Sequence, residues 1–106
     1  MANSFVNKKV DLTSTAATTL YTVPSASTAV IKSILVSEDS GNADTITVTV
    51  TNGSSVYSLF KVKAVAANTT IELLTAPLVL QTTEILKVNA ASANRLHVVA
   101  SLLEVS

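Results

Sequence analysis

A chain of 106 residues has room for one domain, and with no cysteine it can hold neither a disulfide framework nor a thiolate metal site. Seven basic and seven acidic residues give a formal net charge of zero, so nothing draws a phosphate backbone or an anionic membrane from a distance. Charged residues are only 13% of the chain while hydrophobic ones are 48%, with a mean hydropathy of +0.50. The polar surface must therefore come from Ser and Thr, about a quarter of the sequence, which protects weakly against self-association.

Val, Ile and Thr make up about a third of the residues and suit a pleated, half-buried surface. Residues 5–12 read as a strand or an extended arm, and residues 18–23 as a strand stopped by Pro24, which has no N–H to give. A long strand over 29–38 runs into the polar turn Glu38-Asp39-Ser40-Gly41-Asn42. In 45–51 the alternation is cleanest, with Ile46, Val48 and Val50 on one face and threonines on the other. Asn52-Gly53 then predicts a two-residue type I′ hairpin into 54–63. There Val56, Phe60 and Val62 are expected to share one face, and Tyr57, Leu59, Lys61 and Lys63 the other. Further strands are expected at 68–74, 77–80, 84–89 and 96–105. Seven to nine short strands separated by turn residues predict an all-β fold, a small antiparallel β-sandwich or jelly-roll-like domain over 12–106. Residues 1–11 form its arm or edge strand, and a β-barrel built from the same strands stays open.

The sequence offers little chemistry, and no enzyme is expected. The only histidine, His97, lies inside the closing strand between Leu96 and Val98 and reads as a half-buried or interface imidazole. Glu38, Asp39 and Asp44 cluster around one turn, but their spacing is not that of an EF-hand, so a solvated turn is expected over a bound cation. Gly41 and Gly53 stand alone, which leaves no phosphate cradle. Lys8-Lys9, and Tyr57 with Lys61 and Lys63, are too sparse for a nucleic-acid platform. No catalytic, metal or cofactor site is expected, and no nucleic acid, membrane or small-molecule partner. The first nine residues lack a basic start followed by an apolar stretch, so no secretory signal is read there and folding in the cytoplasm is expected.

Two strands are apolar on both faces. In 96–105, Leu96, Val98, Ala100 and Leu102 oppose Val99, Leu103 and Val105; in 29–38, Val30, Ile34 and Val36 oppose Ile31 and Leu35. A two-layer sandwich leaves one face of each strand wet. Burying one such side chain is worth roughly 1.5–3 kcal/mol, and a whole domain is stable by about 5–15 kcal/mol. A cover is therefore expected: a neighbouring subunit, or the N-terminal arm folded back. The expected interface set is Val30, Ile31, Leu35, His97, Val99, Leu103 and Val105.

Three stretches, in order and spacing, resemble small virion structural proteins of tailed bacteriophages. They are residues 12–24 with Leu20-Tyr21-Thr22-Val23-Pro24, residues 28–37, and residues 71–80 with Leu78-Val79-Leu80, leading to Leu86-Lys87-Val88. The resemblance implies a virion component assembled in the host cytoplasm, with no catalytic residue to carry over. A capsid decoration (cement) protein is the expected role, a neck, tail or fibre component the alternative, and a carbohydrate-binding module a further one. The implied partners are other copies of the chain, as a trimer or another cyclic homo-oligomer, and virion proteins such as the major capsid protein.

Overall fold

The computed structural model describes residues 3–106 and, among them, nine strands and no helix. They are β1 (Asn3–Asp11), β2 (Thr18–Thr22), β3 (Thr28–Glu38), β4 (Asp44–Thr51), β5 (Val56–Val65), β6 (Thr70–Glu72), β7 (Leu78–Leu80), β8 (Ile85–Ala90) and β9 (Leu96–Val105). Every pairing is antiparallel. The first sheet runs β1-β9-β3, and the short strands β6 and β7 share the far edge of β3; the second runs β2-β8-β4-β5. The fold is thus the expected all-β antiparallel sandwich.

Alternation explains why these segments are strands and which way they face. Ile46, Val48 and Val50 of β4 point inward and Thr45, Thr47 and Thr49 outward. On β8, Leu86, Val88 and Ala90 are buried; on β9, Leu96, Val98, Ala100 and Leu102 are. Together they form one thin aliphatic core, to which Tyr21 is the only aromatic residue that contributes fully. Tyr21 is allowed there because its hydroxyl donates to Glu104 Oε2 at 2.7 Å.

The β3 strand departs from simple alternation. Ala29 and Ile31 are buried, and so are Ile34 and Val36, three residues after Ile31 rather than two. The register against β9 shifts between Ile31, opposite Leu102, and Ser33, opposite Ser101. Lys32 is the extra residue of a β-bulge, which resets the phase of the strand. The carboxylate of Glu72, on β6, holds the bulge by accepting from Ile34 N at 2.8 Å, Leu74 N at 3.2 Å and Ser33 Oγ. Burial works to raise the Glu72 carboxyl, but the hydrogen bonds from Ser33, Ile34, Leu74 and Leu73 outweigh it and lower its pKa. The bulge corrects both expected faces of this strand: Ile31 lies in the core with Ile34 and Val36, all without exposed surface, and Val30 lies on the outer face with Leu35.

The hairpin of β4 and β5 forms, with a different tip and a less regular second strand. Of the two turn residues only Gly53 has a positive φ, so the turn is not type I′. Residues 52–55 form a longer loop instead, held by Asn52 Oδ1, which accepts from Ser54 N and Ser55 N at 3.1 and 3.0 Å. Two register shifts break β5, and Val62 adopts a φ of 54°. Phe60 packs against the core while Val56 and Val62 stay exposed, so the three do not form one buried face.

Residues 3–11 of the expected arm lie along this chain's own sheet, from Asn3 opposite Val105 to Asp11 opposite His97; Met1 and Ala2 lie outside the described residues. Val6 and Val10 turn inward onto the core. Beyond β1 the chain is fixed by Leu12, fully buried, which donates from its N to Leu96 O at 3.0 Å and accepts from Asn94 N at 2.8 Å.

Candidate functional site

The outer face of the first sheet gathers most of the residues expected at an interface. Because paired residues of adjacent strands share a face, the register places Phe5, Leu103, Val30 and Val79 side by side across β1, β9, β3 and β7. Phe5 is 80% exposed and Val79 51%, while Leu103 and Val30 between them are half-buried. Below this apolar row lies a polar one, Asn7, Ser101 and Ser33, with the bulged Lys32 beside it. A second apolar pair follows, Val99 opposite Leu35, flanked by Lys9 on β1 and Glu72 on β6. Val105 opens the face at one end, between Asn3 and Thr28, and His97 closes it at the other, between Asp11 and Ser37.

Six expected interface residues, Val30, Leu35, His97, Val99, Leu103 and Val105, are therefore brought onto one surface, and Ile31 is not. Sequence reading missed Phe5 and Val79. Phe5 had a signal, since it sits among Asn3, Asn7 and Lys9 on the wet phase of an alternating strand. Val79 had none, because a three-residue strand shows no period. Two shallow hollows dent this face. One is lined by Phe5, Asn7, Lys32 and Ser101; the other, mostly apolar, by Lys9, Asp11, His97 and Val99.

His97 sits between two carboxylates, with Nε2 3.2 Å from Asp11 Oδ1 and Nδ1 3.7 Å from Asp39 Oδ2. A catalytic histidine orients one nitrogen on an acid and offers the other to a nucleophile. Here both nitrogens face acids, on open surface. What the arrangement does is tie together the end of β1, β9 and the loop after β3.

The acids of this turn are engaged by backbone amides, local and distant, and by His97. Glu38 is only 1% exposed, and its carboxylate accepts from Ser40 N, Gly41 N and Asn68 N at 3.0, 3.0 and 3.2 Å, and from Ser40 Oγ. Burial works to raise its pKa, but these hydrogen bonds win and hold it down to about 2. Asp44 accepts from Thr45 N at 2.8 Å and Ser92 N at 3.2 Å, and Asp39 turns to His97. Among the described residues no group of three or more His, Cys, Asp or Glu is placed to hold a metal ion. Likewise no helix is long and apolar enough to cross a membrane.

No family model matches the sequence, and no curated protein matches it. Solved structures do. A chain of Bacillus endospore appendages, described as a novel family of disulfide-linked pili, superposes with a TM-score of 0.53 at 13% identity. The match covers 100% of this chain and 91% of that one. A pentameric capsid protein isolated from metagenomic phage sequences superposes with a TM-score of 0.50 at 19% identity, covering 92% of this chain. This chain spans 59% of that capsid protein's length. At such identities the likeness is one of fold, and this chain, without cysteine, cannot make the disulfide links of the pili.

Proposed function

We propose that this chain is a structural subunit of a bacteriophage virion, a capsid decoration protein that adds contacts between neighbouring subunits of the head. The observation that carries the reading is the outer face of the first sheet: a row of four apolar side chains, two of them more than half exposed, on a domain with only 13% charged residues. Contiguous apolar surface of this kind marks an interaction site. We read the strand order as a jelly roll, since the chain crosses between the sheets at every connection but β4–β5 and β6–β7 and sets β1, β9, β3 and β6–β7 against β2, β8, β4 and β5. That architecture is common in viral capsid and lectin domains. The likeness to a phage capsid protein supports the same reading.

A neck, tail or fibre component is the second reading, and the likeness to a pilus chain of nearly equal length favours it. Carbohydrate binding loses support because Tyr21, one of only two tyrosines, is buried and bonded to Glu104, which leaves no paired aromatic platform. Image reconstruction of the intact particle, with the copy number counted, tests the proposal. Hundreds of copies over the head are expected of a decoration protein. A dozen or fewer at one vertex would shift the role to the neck or tail, and absence from the particle would end it.

A further inference from the structure

We infer that the occupant of the outer face of the first sheet is a second copy of the same face, turned about a two-fold axis that runs along the strands between β9 and β3. The inference rests on reading this face as an assembly surface and adds its partner and its geometry. Such an axis lays β1 of one copy over the β6–β7 edge of the other, and β9 over β3. The register then decides what meets what. In the apolar row Phe5 lands on the partner copy's Val79, and Leu103 on its Val30. In the lower row Val99 lands on Leu35, and Lys9 on Glu72, a cation on a carboxylate. The polar middle row meets itself, serine on serine. Isologous contact demands this self-complementarity, with residue i on j and j on i. A two-fold axis across the strands would instead bring Val79 over Glu72 and Phe5 over Lys9, with no ion pair.

The size of the face agrees. Four strands about 4.8 Å apart and eight residues of about 3.3 Å rise give a patch of roughly 500 Å² on each copy. The pair would bury about 1,000 Å², the lower limit for a specific interface.

Thiol cross-linking tests this directly, because the chain has no cysteine of its own. Within one copy Phe5 and Val79 lie three strand spacings apart, about 14 Å. Across the inferred interface they face each other at the sheet-to-sheet distance of about 10 Å. Phe5→Cys and Val79→Cys chains, mixed one to one and treated with a bismaleimide of about 10 Å reach, are expected to give a covalent dimer. Either variant alone is expected to stay monomeric on a denaturing gel, since like positions sit farther apart than the linker reaches. Equal cross-linking of the single variants, or none in the mixture, overturns the inference. A chain that occupies the particle but never cross-links in this pattern loses only the two-fold geometry. One that cross-links as expected but is missing from the particle loses only the virion role.

Discussion

Replacing Ile31 and Leu35 separately by alanine separates the two faces of β3. In an unbroken strand these residues, four apart, would share a face and similar surroundings. The bulge at Lys32 puts Ile31 in the core at 0% exposed and leaves Leu35 on the surface at 39%. Each substitution removes three carbons, worth about 2.4 kcal/mol in transfer free energy at about 0.8 kcal/mol per carbon. At Ile31 a closed cavity adds to that, so Ile31→Ala is expected to cost about 3–4 kcal/mol. At Leu35 no cavity forms and part of the surface was already wet, so Leu35→Ala is expected to cost about 1–1.5 kcal/mol. The larger loss is about a fifth or more of a typical domain's stability. Urea unfolding followed by circular dichroism, at concentrations low enough that the midpoint is independent of concentration, reads both. Equal costs, or a larger one at Leu35, would refute the phase reversal.

Val62 holds a φ of 54°, where a β-branched residue is strained, and it is 60% exposed. Val62→Asn is expected to stabilise the fold by about 1 kcal/mol, raising Tm by about 4–8 °C in a thermal melt. Glu38 titrates near 2 when folded, below its ordinary value of 4.5, so its contribution is complete above pH 4.5 and lost as pH falls through about 2. Glu38→Gln is expected to lower Tm at pH 7, and the gap to the wild type should narrow between pH 4.5 and 2; a gap that does not change with pH would contradict the assignment. Tyr21→Phe removes the hydroxyl that donates to Glu104 and is expected to cost about 1 kcal/mol in chemical denaturation, with the sandwich intact by circular dichroism.

The strands were legible in the sequence wherever alternation is strict, as with Ile46, Val48 and Val50 against their threonines. The closing strand was legible too, down to its two apolar faces. The sequence is silent where one residue breaks the period. Lys32 interrupts an apolar run, yet nothing local says whether a polar residue there faces water in phase or is inserted out of phase. The answer lies 40 residues away in Glu72, whose carboxylate fastens the bulge. The same limit applies to Asn52-Gly53, where serines at 54 and 55 give the Asn52 side chain enough donors to support a longer loop than the dipeptide suggests. Glu38 and Asp44 looked like free acids on a turn, and only the fold shows that backbone amides from distant loops occupy them. For the candidate face, the sequence supplied its middle, Val30, Leu35, Val99 and Leu103; pairing with β1 and β7 supplied its rims.

Sedimentation equilibrium of the wild-type chain beside Val79→Glu tests most directly whether the outer face of the first sheet is an assembly surface. Val79 is half exposed on a short edge strand, so a carboxylate there leaves the core untouched. The wild type is expected to gain mass with concentration, and the variant to remain at the mass of one chain. A wild type that stays monomeric throughout, or a variant that associates just as strongly, would contradict the account.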